Sequence, residues 1–204
     1  MKRLNPTRRS RTAKTRRQQR RAGGFTLIEA ALTGVIVGTG VLAMVSAQQA
    51  YHIKNNWALR TGTGQLLANE MRELMLTLQP FDPSQPTNVG VEPNEGSADP
   101  SNVSSWDDVD DFAGTGSGAA WSGVAFNPPI NGLRQQIPDL AQWTQQVRVE
   151  AVRLANLDYG SEAAEAPLNL GQTSCLRVTC TVLYTQPDGT QDTITRLQWI
   201  VPTF

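Results

Sequence analysis

The chain has 204 residues, with 18 Lys and Arg against 18 Asp and Glu, one histidine and two cysteines. A single histidine excludes a histidine-based metal cluster within one chain, and two cysteines exclude a disulfide-dense scaffold. The zero net charge hides a division: residues 1–24 carry ten basic side chains and no acid, which leaves 8 basic and 18 acidic residues beyond them.

Directly after this basic leader comes Gly23-Gly24-Phe25-Thr26-Leu27-Ile28-Glu29, and from Ala30 to Tyr51 no charged residue occurs. Residues 25–50 are long enough for one membrane-crossing helix, which needs about 20 apolar residues. Lys and Arg resist translocation, so the leader stays on the cytoplasmic side and the acidic remainder lies outside. A block such as RRSRTAKTRRQQRR could also serve as a nucleic-acid arm. Its place directly before a membrane segment argues against that, and no nucleic-acid partner is expected.

Glu29 is the odd residue. An acid in hydrocarbon costs on the order of 3 kcal/mol at mid-bilayer and less near an end, so it calls for a function. A secretory signal cut after Ala47, at Val45-Ser46-Ala47, would release a soluble exported binding protein. Such signals, however, have apolar regions of about 7–15 residues without an acid. A plain single-pass anchor, carrying an adhesin or a carbohydrate enzyme, leaves Glu29 equally unexplained.

GFTLIE followed by an apolar helix resembles the processing and assembly motif of type IV prepilins and type II secretion pseudopilins. The resemblance implies cleavage by a prepilin peptidase between Gly24 and Phe25 and N-methylation of Phe25. It also implies pairing of Glu29 with the amino terminus of a neighbouring subunit. The implied partners are that peptidase, other pilin or pseudopilin subunits, an inner-membrane assembly platform and the lipid bilayer. The implied location is the inner membrane, crossed once, with the amino terminus cytoplasmic and the head outside. The physics agrees: a glycine pair offers a protease an extended, side-chain-free approach, and the new α-amino group of Phe25 can neutralise a neighbour's Glu29 at similar depth. The chain departs from the common pattern in its long, very basic leader and in having no proline in the apolar helix. Gly34 and Gly38 have instead the small-x-x-x-small spacing that lets membrane helices approach closely, and each glycine, like Gly40, lowers helix stability by up to about 1 kcal/mol.

Beyond the membrane segment, Leu67, Met71, Leu74 and Leu78 recur at helical spacing, with Leu59 and Thr63 on the same face, so residues 51–79 continue the helix as an amphipathic half. Pro80 ends it. Residues 80–118 turn to Pro, Gly, Ser, Asn and Asp, with seven acids between Glu92 and Asp111, and read as an acidic loop in which Trp106 and Phe112 could dock on a sheet. Asp107, Asp108, Asp110 and Asp111 could offer oxygen ligands to Ca²⁺. They lack the EF-hand spacing, and four acids around one valine read instead as a solvated turn, so no metal or other cofactor is expected.

Residues 119–204 read as an antiparallel β head. Trp143, Gln145, Val147, Val149 and Ala151 alternate with polar partners; so do Leu176, Val178, Cys180, Val182 and Tyr184; Pro187-Asp188-Gly189 supplies a turn, and Leu197, Trp199 and Val201 form the returning face. If Cys175 and Cys180, five residues apart, both lie in one regular strand, they are on opposite faces at roughly 17 Å, too far to bridge; a disulfide would need Cys175 outside the strand and folded back, and no intramolecular bridge is expected. The expected fold class is α+β: a long N-terminal helix, half in membrane and half amphipathic, packed on a small antiparallel sheet in pilin-like fashion. His52 reads as interfacial, no phosphate-binding glycine loop occurs, and the expected function is non-enzymatic.

Overall fold

The computed structural model describes residues 26–82, 90–92, 95–96, 99–117, 120–152 and 175–203. The leader, with Gly24 and the adjoining Phe25, lies outside the described residues. The fold class is α+β, one long N-terminal helix followed by a four-stranded antiparallel sheet, consistent with the pilin-like architecture that the resemblance implies.

Helix α1 runs from Leu27 to Leu76, 50 residues or about 75 Å at 1.5 Å per residue. It starts where Thr26 and Glu29 form a reciprocal cap. The Glu29 carboxylate accepts from the Thr26 N–H at 2.9 Å, and the Thr26 hydroxyl oxygen accepts from the Glu29 N–H at 3.3 Å. This S/T-x-x-E box satisfies two of the orphan donors at a helix start. Within the apolar half the hydroxyls of Thr33, Thr39 and Ser46 donate to the carbonyls of Glu29, Val35 and Leu42 at 2.7, 3.0 and 3.0 Å. Each hydroxyl is thereby satisfied within the helix, as an apolar surround requires.

The second half of α1 buries Gly64, Leu67, Ala68, Met71, Leu74 and Met75, the i, i+3, i+4, i+7 stripe of a helix packed on one face. The buried stripe starts later than the sequence pattern implies: Leu59 is 63% exposed, because the close contact with the sheet starts at Gly64, where an added Cβ would meet the Ile194 side chain at 2.7 Å. The helix also stops at Leu76 rather than Leu78, its last turn tightening as Thr77 and Leu78 donate to the carbonyls of Leu74 and Met75 at 3.2 Å.

The sheet has the order β3-β4-β5-β6, with β3 Val124–Phe126, β4 Trp143–Val152, β5 Cys175–Thr185 and β6 Gln191–Pro202. A separate two-stranded ribbon joins β1, Gly116–Ser117, to β2, Ala120–Trp121. In register, Val149 faces Val178 and Val178 faces Trp199, while Val147 faces Cys180 and Cys180 faces Leu197. These alternating positions make the core face. The opposite face is polar: Glu150 lies across from Arg177, whose guanidinium reaches its carboxylate at 2.7 Å, and Arg148 reaches the same acid at 3.1 Å. The β5–β6 turn is closed by the Gly189 N–H on the Gln186 carbonyl at 2.9 Å, with Gly189 at φ 86°, a conformation glycine adopts at little cost.

Both cysteines lie in β5, buried and not joined by a disulfide. Burial pushes the Cys180 thiol up to about 12, so it is inert at neutral pH.

Gln145 ties the helix to the sheet. Its fully buried amide accepts from the Ile130 N–H at 2.8 Å and donates to the Leu67 carbonyl of α1 at 2.8 Å. Gln145→Leu keeps the volume but orphans the Ile130 amide, which costs about 1–3 kcal/mol. Denaturant unfolding of the detergent-solubilised chain should show a lower midpoint at unchanged slope; an unchanged midpoint would mean that the amide contributes nothing net.

Candidate functional site

Two regions carry chemistry that packing alone does not explain: the exposed half of α1 and a buried carboxylate cluster in the head.

From Thr26 to Leu59 every residue of the helix is exposed, including Leu27, Ile28, Leu32, Val35, Ile36, Val41 and Leu42. This is the one helix among the described residues long and apolar enough to cross a membrane. Nothing lies within 4 Å of where a Cβ would be at Gly34, Gly38 or Gly40, so these positions are open to a neighbour. At 100° per residue, Gly34 and Gly38 are turned by about 140° and 180° from Glu29. The helix thus presents two distinct surfaces, an acid-bearing one and a glycine-bearing one. Gly24 and Phe25, the other expected processing and assembly residues, lie outside the described residues.

Of the four aspartates expected in a solvated turn, Asp107 is exposed, whereas Asp108, Asp110 and Asp111 are buried. Two short 3-10 helices, Val103–Ser105 and Asp110–Ala113, bring Val103, Trp106, Val109, Phe112 and Ala113 into the core. Trp106 stacks edge-on to Phe112 at 5.0 Å between centroids and contacts Phe126 of β3 at 6.3 Å. With aromatics anchored on either side, Asp108, Asp110 and Asp111 are carried inward with them and are at most 1% exposed; Glu92 and Glu95 are buried beside them. The segment is fastened to the sheet where Gly123 donates to the Ala113 carbonyl at 2.8 Å. Gly114 and Gly123 have φ of 80° and 71°, and a side chain at either would collide with the Gly123 or Val147 carbonyl.

Backbone amides hold one oxygen of each aspartate. Asp111 Oδ2 accepts from the Asp107 and Asp108 N–H groups at 2.9 and 3.2 Å, Asp108 Oδ1 from the Asp111 N–H at 3.2 Å, and Asp110 Oδ2 from the Gly90 N–H at 2.9 Å. The remaining oxygens, Asp108 Oδ2, Asp110 Oδ1, Asp111 Oδ1 and both of Glu92, are buried without a donor. Glu95 is oriented by the Glu92 N–H at 2.9 Å. Carboxylate oxygens of Glu92, Glu95 and Asp111 lie within 4.8 Å of one another, and so do those of Asp107, Asp108 and Asp111. Asp111 therefore joins two triads, whereas Asp110 belongs to neither.

Burial, then the contact of its side chain with that of Glu95 and repulsion from the neighbouring carboxylates, pushes Glu92 up to about 8; burial, then repulsion from Asp108, pushes Asp111 up to about 8. Burial chiefly lifts Asp108 to about 9 and Asp110 to about 6. The Arg72–Glu73, Arg148–Glu150 and Arg177–Glu150 ion pairs lie elsewhere.

Compared with known proteins, the chain matches no family model, no curated protein and no solved structure. The functional reading therefore stands on its own residues. Thr26 was legible as the cap partner of Glu29 from the T-x-x-E spacing. No local pattern singles out Glu92 and Glu95, because a fold-back across the segment brings them to Asp111.

Proposed function

We propose that the chain is a non-enzymatic subunit of a type IV pilus or type II secretion pseudopilus-like filament, cleaved after Gly24 by a prepilin peptidase and assembled through its N-terminal helix. It is anchored in the inner membrane with its head outside. The supporting observation is one continuous helix that exposes only apolar and small residues plus Glu29 from Leu27 to Ala47, and whose second half backs a β head. An apolar surface of this length must be covered by lipid or by other helices.

The two unlike surfaces of the helix suit an open helical array, which needs heterologous contacts rather than one self-complementary patch. Glu29 on one side serves as the charged partner for the α-amino group of Phe25 in the next subunit. Gly34 and Gly38 on the other let a neighbouring backbone approach. Release after Ala47 would cut through the middle of α1, which counts against a soluble exported module. Fractionation tests the reading: the protein should pellet with membranes, resist alkaline extraction and expose its head to protease on the outer side. Recovery as a soluble head lacking residues 1–47 would overturn it.

A further inference from the structure

We propose that the carboxylate cluster of Glu92, Glu95, Asp107, Asp108 and Asp111 binds one divalent cation of the hard, oxygen-seeking class, Ca²⁺ in particular. The inference concerns the head alone and does not depend on the filament reading.

A group of acids is not by itself a site, and here the deciding observation is what their oxygens lack. Glu92 is 1% exposed and neither of its oxygens has a donor. Asp108 and Asp111, equally buried, each spend one oxygen on backbone amides and leave the other unpartnered. A buried polar atom without a partner is rare, and three such carboxylates facing one another are harder still to account for by packing. The pattern of one oxygen fixed by an N–H and one left free is how outer hydrogen bonds orient carboxylate ligands toward a metal.

The donor set selects among cations. Two carboxylate triads sharing Asp111 offer the many oxygen donors that Ca²⁺ gathers in flexible geometry, whereas Mg²⁺ demands near-ideal octahedral geometry, is held through one or two carboxylates and keeps several waters. No histidine or cysteine takes part in either triad, which disfavours zinc and the softer transition metals. A cation here would tie the turn at Glu92 and Glu95 to the Asp107–Asp111 segment and offset the mutual repulsion of their carboxylates.

The test uses the purified full-length chain in detergent. Calorimetric titration with Ca²⁺ should give a single-site isotherm. Relative to excess chelator, saturating Ca²⁺ should raise the unfolding temperature by about 5 °C or more, as expected for ligand at a hundredfold excess over Kd acting on a domain of this size. Glu92→Gln is nearly isosteric and keeps a donor for its contact with Glu95, so it should fold, lose at least tenfold in Ca²⁺ affinity and melt no lower than the parent in chelator. Asp111→Asn is the second variant and should lose the Ca²⁺ response entirely. Equal melting in Ca²⁺ and chelator with no heat of binding at millimolar Ca²⁺ would overturn the proposal, as would a full Ca²⁺ response in Glu92→Gln. Mg²⁺ binding as tight as Ca²⁺ would overturn the choice of ion.

Discussion

Glu29→Ala is expected to leave membrane insertion and leader removal intact while cutting incorporation into filaments by at least tenfold. The size follows from what is removed: an acid that, in the assembled state, answers the α-amino charge of a neighbour's Phe25 away from water. Leaving that charge unpaired costs about 3–5 kcal/mol, and about 1.4 kcal/mol is already a factor of ten. The capping box at Thr26 supplies a competing account, since Glu29 also secures the start of its own helix, worth about 0.5–2 kcal/mol. Glu29→Gln separates the two. Glutamine at this position keeps the reciprocal cap but carries no charge, so the pairing account expects Gln to fail like Ala. Filament yield from cells expressing each variant, at matched amounts of processed subunit, is the measurement. Normal incorporation of the Gln variant would assign Glu29 to helix capping alone.

Trp106→Ala should be the most destabilising single change in the head. Trp106 is fully buried, packed against Phe112 and Phe126, and anchors a segment that has no regular ladder of its own. Truncating a buried aromatic costs about 3–5 kcal/mol, a large share of the 5–15 kcal/mol that holds a domain together. The unfolding temperature of the detergent-solubilised chain should fall by about 10 °C or more. Limited proteolysis should then cut first within residues 80–113, because the tryptophan pins that stretch to β3. A variant that melts within 2 °C or so of the parent would show that the segment is held by its backbone bonds and glycine contacts instead.

The parts of the fold that could be read in advance are those where one face is buried and the period is regular. β4 spans Trp143–Val152 as its alternation implies, and β5 and β6 bury the faces read for them except at Tyr184 and Leu197, which are half-buried. The helical stripe of Leu67, Met71 and Leu74 is buried as well. Leu59 was misplaced because periodicity says which residues share a face but not how far the partner surface extends. The acidic segment was misread for a different reason. Composition predicts solvation for Asp108, Asp110 and Asp111, yet Trp106 and Phe112 on either side bury more apolar area than a short run of aspartates can oppose, and the acids are drawn in. Their carboxylates meet Glu92 and Glu95 through tertiary folding, which no local spacing encodes. The N-terminal half is the reverse case. Its motif is explicit in the chain, while its meaning lies in partners that a single chain does not contain.

The central claim is that the leader is removed after Gly24 and the helix beginning at Phe25 is the assembling element. Intact-mass and N-terminal mass spectrometry of the protein recovered from membranes tests it most directly. The expected product starts at N-methylated Phe25. A chain that retains Met1, or one that begins at Gln48, would contradict the account.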